Sequence, residues 1–462
     1  MNSPNHCLPH PFAPFQGSIR KVSGKLLMYC AAAVSWFVIL GAAAALAQSP
    51  PPSPAAGLSS WLQGQYMTGD WGGTRSALET KGVTLRAGYL SESAANPSGG
   101  LRQGATYTHQ VDAGFDLDLD KLINLPGGKI HVLFTERAGQ SLAAQSIGSI
   151  ISVQEVFGSG QNIRLAEFSY EQSVLNDRLK AKLGWIHASD DFASSPLFCY
   201  FQNNGFCGQV AIVINSGFTI FPSGSWGAVL RAGIYDDFYL KAGVYEVNPT
   251  LSLAANGFKL GTSGATGVIV PGEIGWQPVL GPAALPGHYR IGGYYDTSDA
   301  SYLGSPIGGP QSTMRGRWGF YFQADQMVLR TGPGSRPGLD QGLTVLAVAA
   351  YAGPDTALLQ YYWQFGFLQR GTFAGRDQDT IGLAVSQVRV SNQLVASQNL
   401  ANTQLPGSVA VQSAETTIEL NYRAQLTPWS SVMPNIQYVM QPNAVTSIPN
   451  ALVLGLQVRL TF

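Results

Sequence analysis

The last twelve residues, Ala451 to Phe462, read A-L-V-L-G-L-Q-V-R-L-T-F. Leu452, Leu454, Leu456, Val458, Leu460 and Phe462 share one parity, and Ala451, Val453, Gly455, Gln457, Arg459 and Thr461 share the other. Successive side chains on a strand point to opposite faces, so one face here is wholly apolar and the other small or polar. At roughly 3.3 Å per residue and a tilt near 45°, such a strand rises about 28 Å, which suits a bilayer's hydrocarbon. A terminal aromatic belongs at a membrane interface, where outer-membrane barrels carry aromatic girdles. Seen alone, the stretch reads better as the half-buried strand of a soluble sheet. Its recurrence decides.

The alternation starts at Val83. Val83, Leu85, Ala87 and Tyr89 oppose Thr84, Arg86, Gly88 and Glu92, and Val111 to Leu119 oppose Asp112, Asp116 and Asp118. Trp318, Phe320 and Phe322 oppose Arg317, Gln323 and Asp325; Ile418, Leu420 and Tyr422 oppose Glu415, Glu419 and Arg423. Stretches 163–172, 180–188 and 267–276 are weaker, the first with an ambiguous register, and 343–351 is apolar on both faces. Together they make about sixteen strands, an even number as bacterial barrels require. The expected fold is all-β: a closed antiparallel transmembrane β-barrel, with a short N-terminal helical segment on the periplasmic side. Reversing one register would put Arg423 or Arg459 into lipid at about 2–4 kcal/mol each. A barrel of that size encloses water rather than a packed core, so a channel is the expected function.

Charge agrees. Lys+Arg 27 balances Asp+Glu 27, and only 12% of the 462 residues are charged, where about 25% is usual. Much of the outside is therefore expected not to face water, and a neutral balance argues against nucleic acid as a partner. Mean hydropathy near zero is too low for a bundle of membrane helices, but is what alternating strands produce.

Arg20, Lys21 and Lys25 precede an apolar run from Leu26 to Leu46, ending Ala45-Leu46-Ala47. This reads as a signal peptide over 1–47, although so long an apolar run leaves an uncleaved anchor open. A Pro-rich spacer is expected over 48–58, a short helical segment over 59–82 and the barrel over 83–462. Removal of the leader takes Cys7 and Cys30, leaving Cys199 and Cys207 in F-C-Y-F-Q-N-N-G-F-C-G. In an exported chain this close pair suggests a disulfide closing a small ring. Metal binding is the rival, but no Cys or His cluster supplies further ligands.

At G-D-W-G-G-T-R-S-A-L-E-T-K-G (Gly69–Gly82), S-P-L-F-C-Y-F-Q-N-N-G-F-C-G (Ser195–Gly208) and F-P-S-G-S-W-G-A (Phe221–Ala228) the chain resembles the carbohydrate-selective outer-membrane porins of the OprB type. The likeness continues at K-A-G-V-Y-E-V-N-P (Lys241–Pro249), L-P-G-H-Y-R-I-G-G-Y-Y-D-T-S (Leu285–Ser298) and R-W-G-F-Y-F-Q-A-D-Q-M-V (Arg317–Val328). It closes with A-E-T-T-I-E-L-N-Y-R-A-Q-L-T-P-W (Ala414–Trp429), P-N-I-Q-Y-V (Pro434–Val439) and the terminal strand. The resemblance implies a sixteen-strand barrel in the outer membrane, whose inward loops narrow the pore for passive uptake of glucose-like monosaccharides. It also implies contact with outer-membrane lipid and lipopolysaccharide, and with the assembly machinery through the Phe462 strand. No cofactor or metal is expected, and a single barrel suffices for transport.

A sugar presents hydroxyls at its rim and C–H patches on its faces, so a selective pore needs paired donors and acceptors beside aromatic rings. Arg supplies a rigid fork of donors and carboxylates accept. The candidates for the constriction are Arg137, Glu167, Asp190 and Asp191, with Trp185 or Phe192 as a stacking ring. Arg137 enters the segment 138–162, which could fold inward, and Asp190, Asp191 and Phe192 open the cysteine loop of about 187–222. Glu415 and Glu419 suggest a glycosidase pair, but i, i+4 on a strand separates them by about 13 Å, beyond the roughly 5–9.5 Å such mechanisms use. They read better as lumen wall. Two alternatives stand: a general or weakly anion-biased porin, and a secreted soluble β-protein that binds or cleaves carbohydrate.

Overall fold

The computed structural model describes residues 54–158, 160–332 and 340–462. The signal peptide, with Cys7 and Cys30, and spacer residues 48–53 lie outside the described residues. The chain divides into two units, residues 1–63 and 64–462. In the first, a helix spans Pro54–Gln63, beginning inside the stretch expected to be an extended spacer; proline is tolerated in a helix's first turn.

The second unit is a barrel. Its strands are β1 Val83–Ser98, β2 Gly104–Asp118, β3 Gly128–Gly139, β4 Ile163–Val174, β5 Leu179–Ile186 and β6 Ser225–Gly233. Next come β7 Phe238–Val247, β8 Gly267–Trp276, a two-residue β9 Val279–Leu280, β10 Leu285–Ser301, β11 Thr313–Arg330 and β12 Gly342–Ala352. The last five are β13 Leu359–Arg370, β14 Thr380–Val390, β15 Ala414–Thr427, β16 Ser430–Met440 and β17 Ala451–Thr461. Sixteen of these pair antiparallel with their neighbours; β8 joins β10, β9 merely extends β10, and β1 pairs with both β2 and β17. The ring is closed, which removes every sheet edge.

The parity reading holds around this ring. Trp318, Phe320, Phe322, Phe365, Phe367, Leu454 and Leu456 are exposed on the outside, and among the described residues no second sheet covers them. On the inward parity Gln323, Glu419, Gln437 and Gln457 are buried. An apolar band of this kind has no place in a freely soluble protein, which sets the soluble alternative aside.

The ambiguous register of 163–172 has a physical cause. Leu133 pairs with Glu167 but Phe134 with Leu165, leaving Ala166 as a bulge. One extra residue flips the alternation: Arg164 and Ala166 are buried before it, while after it Phe168 is exposed and Ser169 buried.

The four longest connections, 140–162, 187–224, 248–266 and 391–413, lie at one end of the barrel, and the helix Asn392–Gln404 in the last of them has no forecast in the strand pattern. The other end carries the shorter turns, both barrel termini and the helix Thr74–Thr80. Short turns mark the periplasmic side of outer-membrane barrels. There the Arg75 guanidinium donates to the carbonyls of Phe462 at 2.8 Å and Leu85 at 3.1 Å, and lies 3.4 Å from the Tyr66 ring centre.

The lumen is not simply polar. Loop 187–224 folds into it and packs Phe198, Phe201, Phe206, Val210 and Ala211 against Leu346, Val348, Leu359, Tyr362 and Val388 of the wall. This is why β12 is apolar on both faces: Val345 and Ala347 face out, while Leu346 and Val348 cover the loop. A second cluster joins Phe192, Ile212 and Phe218 to Tyr245, Ile269, Tyr294 and Tyr321. The loop is therefore a folded plug with its own core.

Candidate functional site

Charged residues of the inner wall hold two inward loops, 140–162 and 187–224, chiefly through the loops' backbone N–H groups. Glu415 accepts from Ile150 at 2.7 Å and Ile151 at 3.0 Å, and Glu419 from Gln202 at 2.9 Å and Asn203 at 2.8 Å. Glu92 accepts from Val156 at 3.2 Å, Glu273 from Ala193 at 3.0 Å and Asp296 from Gly217 at 2.7 Å. A loop inside a barrel has buried amides that no ladder satisfies, and each unmet one costs about 1–3 kcal/mol. Acidic residues on the inward parity meet that demand. Glu415 and Glu419 are thus wall residues, each holding a different loop from a single strand.

Where the loops meet the wall of β15 to β17, a charged cluster forms. Glu155 of the first loop lies 3.8 Å from the Arg459 guanidinium and accepts from Gln457 at 3.4 Å. Its burial pushes the carboxyl above the ordinary carboxylate range, with Arg459 and the Cys207 thiol pulling back. Arg423 of β15 lies 4.4 Å from the Tyr200 ring centre and donates to the Cys199 carbonyl at 3.4 Å. Opposite charges, a partly exposed ring and free hydroxyl-bonding groups share one small space.

The six residues expected from sequence take different places. Asp190 and Asp191 stand together: Lys182 pairs with Asp191 at 2.7 Å, Tyr245 donates to it at 3.0 Å, and His187 contacts Asp190 at 3.0 Å. Burial raises the Asp191 carboxyl above its ordinary value despite Lys182. Burial also acts against the Asp190 charge, but His187 and Lys182 outweigh it and hold that carboxyl below the usual range. Glu167 faces the lumen near Arg86, 3.6 Å away, which also reaches Asp116 at 3.2 Å.

The other three are buried. Arg137 is buried, donating to Gln110 at 2.7 Å and to the Gly158 carbonyl at 3.3 Å, so it ties down the stem of the first loop. Trp185 is 4% exposed, donates to the Leu165 carbonyl at 3.1 Å and packs edge-on to Trp226. Phe192 is fully buried against Tyr245. Neither ring offers a free face for stacking, because the inward loop closes over Phe192 and Trp185 is sealed into the barrel wall. Tyr200 has the partly open face that sequence reasoning assigned elsewhere.

Sequence reasoning also passed over Glu155, although it is the only acid between residues 140 and 162. Arg423 and Arg459 were legible as lumen residues by parity, but nothing in a strand pattern says which lumen arginine meets a loop. Cys199 and Cys207, expected to form a disulfide, lie side by side with their sulfurs 2.9 Å apart.

A family model described as the carbohydrate-selective porin, OprB family, matches residues 102–462. Porin B of Pseudomonas aeruginosa is 34% identical over 422 residues, covering 86% of this chain and 91% of its own length. Among solved structures, the high-pH form of Pseudomonas putida OprB superposes with a TM-score of 0.81 at 32% identity, over 87% of this chain and 99% of that one. Its low-pH form gives a TM-score of 0.56 at 25% identity over the same shares.

Proposed function

Because this chain belongs to the carbohydrate-selective OprB family of porins, outer-membrane channels rather than enzymes, we propose that it passes monosaccharides by passive diffusion through an eyelet formed by Glu155, Arg423, Arg459 and Tyr200. One observation carries this reading. Two loops from different parts of the chain bring an acid and an aromatic ring to two wall arginines, at 3.8 Å for Glu155–Arg459 and 4.4 Å for Arg423–Tyr200. The arginine forks donate to sugar hydroxyls, the carboxylate accepts from them, and the ring meets a C–H face. Water competes at every contact, so binding stays weak enough for release, as conduction demands. Asp190, Asp191 and Glu167 supply a second set of acceptors along the same lumen.

The remaining partners follow from the same reading. The outward apolar band faces lipid and lipopolysaccharide, the leader directs export, and the strand ending at Phe462 addresses the assembly machinery. The arginines of the lumen favour, as a second reading, a porin with an anion bias and little sugar preference. Liposome swelling with neutral sugars of graded size, paired with reversal potentials in a salt gradient, separates the two. Sugar selectivity requires that swelling depart from the order set by solute size; swelling that follows size alone gives the second reading.

A further inference from the structure

The barrel wall is low where the inward loop 187–224 leaves it. β5 has eight residues and β6 nine. At roughly 3.3 Å per residue and a tilt near 45°, they rise about 19 and 21 Å, short of an apolar band about 25 Å tall. The ladder between β4 and β5 stops at Phe168–Trp185, so residues 163–167 of β4 stand above their neighbour. Loop 248–266 fills this notch. The Leu165 N–H of β4 donates to the Gly257 carbonyl at 3.0 Å, and the Trp226 indole of β6 donates to the Leu260 carbonyl at 2.8 Å. We propose that this connection is an apron set in the outer leaflet of the membrane, with Leu253, Phe258 and Leu260 against lipid acyl chains, completing the wall above β5 and β6.

Leu253 is 55% exposed and Phe258 59%, and Leu260 is exposed beside them. The Phe258 ring centre lies 6.3 Å from that of Phe134, an exposed residue on the outward parity of β3. Trp226, which holds Leu260, is exposed on the outward parity of β6. The apolar surface of the loop is thus continuous with the lipid-facing band on both sides of the notch. A contiguous apolar surface is costly in water and fits a bilayer. Between 248 and 266 the sequence holds a single charge, Lys259. Its amine donates to Thr250 Oγ1 at 3.0 Å, and the long stem keeps that amine clear of the apolar face.

Irregular backbone survives at membrane depth only where protein satisfies its polar groups. Here the Leu253 N–H donates to the Thr250 carbonyl at 3.1 Å, Asn256 to Leu253 at 3.0 Å and Lys259 to Asn256 at 3.2 Å. Side chains of β4 and its stem meet two more carbonyls: Arg164 donates to Leu251 at 3.1 Å and Asn162 to Ala254 at 2.6 Å. Gly257 permits the close approach to β4, because a Cβ there would stand 2.2 Å from the Ile163 carbonyl oxygen.

The test places a fluorescent amino acid at position 258 of the whole protein folded into liposomes. The same probe at Leu456 is the lipid-facing reference, and at the exposed Gln404 of the helix Asn392–Gln404 the water-facing one. Brominated phosphatidylcholine should quench the probe at 258 at least half as strongly as at 456, and aqueous iodide should quench it at least threefold less than at 404. Iodide quenching at 258 equal to that at 404 would overturn the proposal. The inference rests on the outward band facing lipid, and the reference separates the two failures. Lipid quenching at 456 but not at 258 removes the apron alone; its absence at 456 removes the lipid-facing reading and the apron with it. F258R should lower the yield of liposome-folded barrel at least twofold, and F258L should restore it. An F258R yield equal to that of the parent chain would also count against the apron.

Discussion

Glu419 and Asn203 stand 216 residues apart and are joined by a 2.8 Å hydrogen bond, from the Asn203 backbone N–H to the Glu419 carboxylate. The second carboxylate oxygen takes the neighbouring Gln202 N–H at 2.9 Å. Both ends are buried. The loop tip that carries Tyr200 is thereby held at a fixed height over Arg423. Removing the carboxylate by E419A strands two buried donors, at about 1–3 kcal/mol each. The tip should loosen, open-channel conductance should rise, and sugar discrimination should fall. E419Q, which keeps one acceptor oxygen, should lie between. Planar-bilayer recording of both variants checks the order.

Arg423 and Arg459 should carry the sugar contact itself. A hydrogen bond to a charged group contributes about 1.5–3 kcal/mol, so R423A or R459A should raise the half-blocking glucose concentration roughly 10- to 100-fold. Each should also shift the reversal potential toward cations. R423K keeps the charge without the fork and should restore ion preference but not sugar block.

Asp191 predicts the pH dependence. Its carboxyl is raised by burial, so as pH falls it is neutralised before an ordinary aspartate, while Lys182 keeps its charge. Lumen charge then becomes more positive, and anion preference should grow on mild acidification. D191N should show the acidic preference already at neutral pH and lose the step. Asp190, held low by His187, should leave this step in place when changed to Asn. Reversal potentials measured across a pH series distinguish the two aspartates.

Leu456 tests the outer face. It is exposed on β17 between Gly455 and Gln457, the latter buried in the lumen. Leu456→Arg places a charge in lipid at about 2–4 kcal/mol near mid-membrane, and folding into liposomes should weaken by that amount. Gln457→Arg, on the inward parity, should fold and instead change conductance. Denaturant titration of liposome-folded protein reads the first effect.

Phe206 tests the plug. It is fully buried against Phe201 at a ring separation of 5.0 Å, within the cluster that includes Tyr362. Phe206→Ala should cost about 3–5 kcal/mol of loop packing. The closed ring should persist, so heat-modifiable gel migration should remain while conductance increases and becomes noisy.

Much of this protein was set by the alternation of its residues. A period of two with one greasy face leaves few folds open, and low charge with near-zero hydropathy selects the barrel among them. The strand run from Val83, the seam strand ending at Phe462 and the inward parity of Glu415, Glu419, Arg423 and Arg459 all follow from side-chain direction, which is a local property. The bulge at Ala166 was visible only as a blurred register, because one inserted residue erases the local period without saying where it sits.

The charged cluster around Glu155 obeyed a different logic. Which loop reaches which wall residue depends on contacts across more than two hundred positions, such as Gln202 to Glu419 and Glu155 to Arg459. Trp185 and Phe192 had the right chemistry for stacking, yet tertiary packing buried both and left Tyr200 open. Strand periodicity determines which way a side chain points. Only the folded loops decide what it meets there, because a loop's position is set by satisfying buried amides and filling space, and neither demand leaves a periodic trace in the chain.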